Sequence, residues 1–430
     1  MSFKLLYNFA PCKNLISNTN AFDPVNHIED LSFVWNDYDN YSNSQRITDI
    51  HNMFNVLGID YTWSKQEDDS LAFINMGSIP HNSERYDNTV KYASETFKKP
   101  IIYSSQEPWQ LNFIEKQLNR YDNIIMMDNA VPVDGKQYMD RYKPFPFMIL
   151  RMLSLPSNIM MIYPDLNYMR IKQKFNCLLW NWRVEKHICY SYIRSKNLDK
   201  KNIITFNKPD SNLIAQSNVT DRLNDFFIGW GSDKNPSVKE MQTYAGELLQ
   251  NADNLKLRKD VKIIPDHPTI NSNFRGLPKY VYEETAFSLV CESFCGSTYD
   301  YAENQQTFYK DSQAFITEKT LFPLMNGHPW ITFGEHDFHK GMETYGFSVH
   351  DELFDLSFDN NPNSLERIDN ITDIVEDIDL EFIKEQVGNR NSETHKKIRH
   401  NKYQMFNKNS FLWKKLKLQF IKYMDEILEL

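Results

Sequence analysis

Glycine is scarce in this chain, 13 of 430 residues, and none of it builds a Gly-rich phosphate loop, a Walker sequence or a Gly-x-Ser-x-Gly elbow. Phosphate-loop nucleotide hydrolases and serine hydrolases of the elbow type are therefore excluded. Cysteine is scarcer still. The five, Cys12, Cys177, Cys189, Cys291 and Cys295, are odd in number and form no Cys-x-x-Cys pair, so the chain is expected to lack a structural zinc and to sit in a reduced, cytoplasmic setting. Apolar runs are short. None approaches the ~20 residues of a bilayer-spanning helix and the first residues carry no signal-type apolar core, so no contact with a membrane is expected. Positive charge is not in excess: a net charge of −9 and a pI near 5.7 exclude a general polycation while leaving room for a local basic surface.

What the chain does have is 41% hydrophobic residues over a length that supports two cores. Apolar runs at Lys4 to Tyr7, Leu31 to Trp35, Leu71 to Asn75, Ile101 to Tyr103, Ile124 to Met127 and Ile159 to Ile162 alternate with helical patterns. Those helices fall near Ile47 to Leu57, Thr89 to Phe97, Trp109 to Leu118 and Phe145 to Leu153. Such α/β alternation predicts a Rossmann-like domain over 1–165. Polar and basic residues at Asp165 to Lys174 read as a linker. A second series over 175–405 opens with a strand at Phe175 to Asn181, a helix from Val184 and a strand at Ile203 to Phe206, with a further helix at Val238 to Asn251. The last segment, 406–430, carries Leu412, Leu416, Phe420, Met424 and Ile427 on one side of a helix, which is expected to be buried.

The most informative stretch is 286–355. Phe287 to Glu292 is an apolar run ending at a carboxylate, the pattern of a buried parallel strand with Glu292 at its C-terminal end. Ala314 to Ile316 then leads into Thr317-Glu318-Lys319-Thr320 and a helix that closes at Gly327. With Thr320 as N-cap, Pro323 would take the third helical position, where its missing N–H is not needed. Free N–H groups at that helix start, together with Lys319, would suit a phosphate or diphosphate. Glu318 would suit ribose hydroxyls, although Glu318 and Lys319 could equally form an ion pair at the helix start. Pro329 to Phe333 reads as a strand, Asp337 to Thr344 as a short helix and Gly346 to Val349 as a return to strand, a βαβ-like nucleotide-binding pattern.

Two earlier sites carry chemistry. In Lys99 to Trp109 a strand ends in a polar turn with Glu107 at its mouth, where a carboxylate can act as general base for a hydroxyl or simply cap the helix starting near Pro108. In Asn181-Trp-Arg183-Val-Glu-Lys186-His187, Arg183 and Lys186 could neutralise a leaving diphosphate or decorate a solvated helix face. His187 there reads as a phosphate donor or as a satisfied buried histidine.

The ordered set Phe287-x-Leu-x-x-Glu292-Ser293, Ile316-Thr317-Glu318-Lys319 and Gly327-x-Pro329 resembles the C-terminal donor half of the α1,3-fucosyltransferase-like glycosyltransferases. Its continuation through Gly346-Phe347, Asp351-Glu352 and an Arg367-containing helix is similar to glycosyltransferase-like proteins of T-even-type bacteriophages, and the clear similarity spans about 286–370. Weaker echoes are Glu107-Pro108, which resembles the family's Glu-Ser-Pro loop without its serine, and Asn181, Arg183 and His187, with Ile188 where the family carries a second basic residue. The resemblance implies a GT-B fold: two Rossmann-like domains facing across a cleft, with the C-terminal helix crossing back to the first. It implies inverting transfer from a nucleotide-diphosphate sugar, the only co-substrate, with no further cofactor. Glu107 would be the base; Arg183, Lys186, Lys319 and Thr320 would hold the diphosphate; Glu292, Glu318, Asn181 and His187 would meet the nucleoside or sugar. By analogy the acceptor would be a hydroxymethylated base, of the 5-hydroxymethylcytosine type, in double-stranded phage DNA. A glycan or lipopolysaccharide sugar is the alternative acceptor, and a noncatalytic nucleotide-sugar or DNA-binding module the alternative to an enzyme.

No metal site is expected. Asp37-Tyr38-Asp39 lies in a solvated acidic loop, and His336-Asp337-x-His339 lacks a third ligand. Near the C-terminus, His395 to Tyr403 and Phe411 to Lys417 join basic residues to aromatics, which fits either a nucleic-acid surface or a solvated helix face.

Overall fold

A computed structural model of the protein describes residues 2–6, 53–64, 71–75, 84–104, 111–132, 139–154, 162–179, 184–206, 239–245, 277–292, 315–361 and 363–429. It is a mixed α/β chain with parallel sheets. The described residues of Met1–Ile159 and Phe406–Leu430 form one compact unit, and those of Met160–Pro265 and Arg275–Met405 form a second.

In the first unit β1 (Ser2–Leu6) pairs in parallel with β2 (Asp60–Ser64), and β3 (Ala72–Asn75), β4 (Pro100–Tyr103) and β5 (Ile125–Met127) form a three-stranded parallel sheet. The Leu71 N–H donates to the Lys4 carbonyl at 2.9 Å, tying the two sheets together. Helices α1 (Glu84–Thr96) and α2 (Leu111–Arg120) flank β4 in the chain; α2 places Ile114 and Leu118 four apart on its buried side. Asn123 holds the end of α1, its amide donating to the carbonyls of Ser94 at 2.9 Å and Phe97 at 3.0 Å. β2 has no counterpart among the expected strands, because Asp60-Tyr-Thr-Trp-Ser64 lacks the aliphatic run that marks the others. Leu31 to Trp35 lies outside the described residues.

Helix α3 (Phe147–Ser154) follows β5, and the C-terminal helix, α11 (Phe411–Glu429), belongs to this unit. Its Leu412, Leu416, Phe420, Met424 and Ile427 are buried, and the Phe420 ring meets Phe54 and Phe145 edge-on at 5.2 and 5.4 Å. Lys417 donates to the Gly58 carbonyl at 2.7 Å, and Lys143 pairs with Glu426.

The second unit is built on a four-stranded parallel sheet of order β7-β6-β8-β9, where β6 is Gln173–Leu179, β7 Ile203–Phe206, β8 Thr285–Cys291 and β9 Trp330–Phe333. Helix α4 (Val184–Ser195) connects β6 to β7, and α6 (Glu318–Asn326) connects β8 to β9. One face carries Phe175, Cys177, Leu179, Phe287, Leu289, Cys291, Ile331 and Phe333, packed with Ile188 of α4, with Ile368, Ile371 and Val375 of α8 (Ser364–Asp377) and with Ile383 and Val387 of α9 (Leu380–Gly388). The other carries Asn176, Leu178, Ser288 and Val290 and meets α6 and α5 (Lys279–Glu284) around a small pocket that Lys319, Phe322 and Tyr282 also line. Both faces are covered, which is why β8 is buried throughout and reads as an unbroken apolar run.

Three expectations need correction here. Asp165 to Lys174 is bound into the second unit: Asn167 N–H donates to Glu283 at 3.0 Å, Tyr168 hydroxyl to the Gly327 carbonyl at 2.5 Å and Lys172 N–H to the Glu284 carbonyl at 2.9 Å. Gly346 to Val349 follows α7 (Phe338–Thr344) but is not a strand, because the Asn401 side chain of α10 (Glu393–Phe406) takes up both polar groups of Ser348, accepting from its N–H at 2.7 Å and donating to its carbonyl at 2.8 Å. Phe315 and Ile316, the described part of the apolar piece read as strand before the α6 turn, are buried coil, and Ala314 lies outside the described residues. The expected helix at Val238 to Asn251 is described only over residues 239–245, which are helical.

Gly327 closes α6 in the left-handed region, φ 71°, with its N–H on the Leu324 carbonyl and that of His328 on the Pro323 carbonyl. An alanine Cβ would come within 2.9 Å of Lys402 Cδ and 3.2 Å of Ile398 Cγ2. Gly327→Ala is expected to cost about 1–2 kcal/mol from the backbone conformation plus the displacement of Ile398, read as a lower urea midpoint; an unchanged midpoint would contradict the assigned cap.

Candidate functional site

Connections run outward from the middle of the second sheet: β6 leads to β7 on one side, β8 to β9 on the other. The strand order therefore reverses between β6 and β8, and ligands of open parallel sheets bind beyond the strand ends at such a reversal. Glu292 sits there, directly after β8, and the first turn of α4 brings Lys186 to the same place. Lys186 is fully buried and its ammonium donates to the Glu292 backbone carbonyl at 2.9 Å.

The Glu292 carboxylate is fully buried and takes the start of α6. It accepts from the Thr317 N–H at 3.1 Å, the Thr317 hydroxyl at 2.5 Å and the Thr320 hydroxyl at 2.6 Å. Thr317, not Thr320, is the N-cap: its φ is −116°, and its hydroxyl oxygen accepts from the Lys319 N–H at 3.2 Å. Pro323 therefore lies in the sixth helical position, inside the helix, where it withholds the N–H that would reach Lys319's carbonyl. The expectation of wholly free N–H groups at this helix start is corrected as well. Part of that anion position is filled by the protein's own Glu292.

Lys319 and Glu318 pair with each other at this helix start. The Lys319 ammonium lies 2.9 Å from Glu318 Oε1 and 3.4 Å from Thr317 Oγ1, with 5% and 18% of the two charged side chains exposed. The structure thus brings Lys186, Glu292, Glu318, Lys319 and Thr320 to one strand end and gives them different work. Glu292, Thr317 and Thr320 hold the turn, and Lys319 with Glu318 forms its most accessible charged pair. Glu107, Asn181 and Arg183 lie outside the described residues, as do Asp37 and Asp39. Thr317 followed by an acidic first-turn residue is an ordinary N-cap signature in the sequence, and only the placing of Pro323 in the first turn favours Thr320 instead.

His187 is buried on α4, one residue from Lys186, and burial lowers its pKa from 6.5 to about 4 against a backbone bond with Ala245. His328 is likewise pushed down to about 4 by burial, its Nε2–H donating to the Thr285 carbonyl at 2.9 Å while Nδ1 faces the Ser288 hydroxyl at 2.9 Å. Unfolded, both would titrate near 6.5. Between pH 6.5 and 4 the unfolded chain binds the protons that the folded chain refuses, so stability present above pH 6.5 is lost as pH falls towards 4. The urea midpoint is expected to drop between pH 7 and 5, and to drop less in His328→Gln; equal pH dependence in both would contradict the assignment.

Among the described residues no group of three or more His, Cys, Asp or Glu is arranged to hold a metal. His339 is engaged within the fold: Nδ1 bonds Asp359 at 2.7 Å, Nε2 accepts from the Thr332 N–H at 3.2 Å, and the ring stacks on Trp330. Arg367, inside α8, donates to the carbonyls of Gly334 at 3.0 Å and Asn361 at 2.7 Å, and so fixes the chain after β9. No described helix is long and apolar enough to cross a membrane.

The class these features define is an α/β protein with parallel sheets and a charged helix start at a reversal of strand order. No protein-family model, curated protein or solved structure matches the chain.

Proposed function

We propose that the protein is a glycosyltransferase of two Rossmann-like domains, GT-B in arrangement, that moves a sugar from a nucleotide-diphosphate sugar to a hydroxyl acceptor. The observation that carries the reading is the Lys319–Glu318 pair at the start of α6, set on the carboxylate at the end of β8 where the strand order reverses. An ammonium at a helix N-terminus suits a diphosphate, and a carboxylate beside it suits ribose hydroxyls. In the proposed mechanism Lys319, with Arg183 contributed by the segment after β6, neutralises the departing diphosphate. Glu318 releases Lys319 and turns to the ribose, while Glu292, Thr317, Thr320 and Lys186 keep the turn from moving. Glu107 takes the proton of the attacking hydroxyl, and displacement at the anomeric carbon inverts it. Inversion and the role of Glu107 come from the family resemblance. The acceptor we favour is a hydroxymethylated base in duplex DNA, again by that resemblance.

Glu107→Gln separates an enzyme from a binding module. Turnover is expected to fall ~10²–10⁴-fold with donor affinity retained. Turnover equal to the wild type would remove Glu107 from the chemistry, and absence of turnover in the wild type on every acceptor, with donor binding intact, would favour the module.

A further inference from the structure

The chain carries 57 acidic residues, yet residues 394–424 contain no Asp or Glu and hold nine Lys and Arg. Within α10 and the start of α11 much of that charge is already engaged: Lys397 with Asp351 and Glu352, Lys402 with the carbonyls of Tyr163 and Pro164, Lys417 with that of Gly58. The outer side of α11 adds further basic residues. Phe411, Lys414, Lys415 and Leu418 recur at helical spacing along one stripe, opposite the buried Leu412, Leu416, Phe420, Met424 and Ile427, and the stripe ends where Lys422 pairs with Glu426. Phe411 and Leu418, 53% and 69% exposed, stand where a solvated face would carry polar residues. Lys415 lies over the Phe411 ring at 5.9 Å, and Lys408, just before the helix, over the Trp413 ring at 5.9 Å.

We propose that this stripe, with Lys408, is a docking surface for the phosphate backbone of duplex DNA. Charge complementarity argues for it, since a chain of net charge −9 keeps residues 394–424 free of acids, and Lys408, Lys414 and Lys415, within two helical turns, meet successive phosphates. The exposed Phe411 and Leu418 add apolar contact to sugars between those phosphates. A lipid surface fits less well. An interfacial helix needs its broad apolar face for the bilayer, and that face of α11 is buried in the first unit. The surface stands on the charge pattern alone; that the bound DNA is also the acceptor rests on the glycosyl-transfer reading.

The test uses the full chain without donor and a fluorescein-labelled, unmodified 20-base-pair duplex, followed by anisotropy over a salt series. Wild type is expected to bind with a log affinity against log salt slope of about −3, and Lys408→Gln/Lys414→Gln/Lys415→Gln to bind at least ~10-fold more weakly with a slope near zero. Phe411→Ala/Leu418→Ala is expected to lose a few-fold with the slope kept. All these side chains project from the surface, and unchanged urea midpoints would show that the variants fold. No duplex binding, binding that the lysine variant retains in full, or a preference for phosphatidylglycerol vesicles over duplex would overturn the proposal. Duplex binding of this kind in a protein that accepts no nucleotide-sugar donor would leave the surface standing and defeat the transfer reading alone.

Discussion

Lys319→Ala is expected to lower the kcat/KM for the sugar donor by roughly 30- to 1000-fold, since one well-placed cation on a developing diphosphate is worth ~2–4 kcal/mol. Its effect on stability should be modest. The Lys319 ammonium touches Glu318 and the Thr317 hydroxyl, and Thr317 keeps its stronger bonds to Glu292 after the lysine is gone. Glu318, left alone, is part-buried with 18% of its side chain exposed, so the lost ion pair costs about 1–2 kcal/mol, between the values for an exposed and a buried pair. Function falling with the fold intact is the signature of a ligand-facing cation. Lys319→Arg would recover part of the loss, because charge is retained while its compact placement is not. Donor titration by calorimetry, beside urea unfolding, checks both halves; full donor affinity in Lys319→Ala would remove this residue from the diphosphate site.

Glu292→Ala is expected to do the opposite and act on the fold first. Its carboxylate accepts three hydrogen bonds in a site closed to water, and truncation strands the Thr317 N–H and two hydroxyls at the start of α6. Breaking a buried charged network of this kind costs about 3–5 kcal/mol. Glu292→Gln should cost less, since its amide keeps one acceptor and the threonine hydroxyls can rotate to use it. Donor affinity is expected to fall in both because the turn that aims Lys319 is loosened. A Glu292→Ala variant as stable as the wild type would mean that the turn is held by something other than this carboxylate.

These two residues also show how far the sequence carries. The strand before Glu292, the helix ending at Gly327 and the strand at Trp330–Phe333 are legible because each is a short apolar run stopped by a residue with a fixed local role. A run buried on both faces needs no alternation to be recognised. The interior of the site was less legible. Glu292 and Lys319 are both charged residues at element ends, and only the three-dimensional contacts distinguish the one that clamps a turn from the one that pairs with its neighbour Glu318. The N-cap was misplaced by three residues because Pro323 was assumed to avoid the helix interior, whereas capping by Thr317 together with the Glu292 bonds stabilises a helix that contains it. Gly346 to Val349 failed for a different reason: β propensity does not reveal that the partner of Ser348 is the Asn401 side chain and not a neighbouring strand. The reversal of strand order between β6 and β8 is a property of pairing, and no single segment encodes it.

The most direct measurement is nucleoside-diphosphate release from a panel of nucleotide-diphosphate sugars, with and without duplex DNA containing 5-hydroxymethylcytosine. The account predicts that one donor is turned over, that release depends on the modified DNA and that it is lost in Lys319→Ala. Binding of no donor across the panel would contradict the account at its centre, the assignment of the α6 start as a diphosphate site.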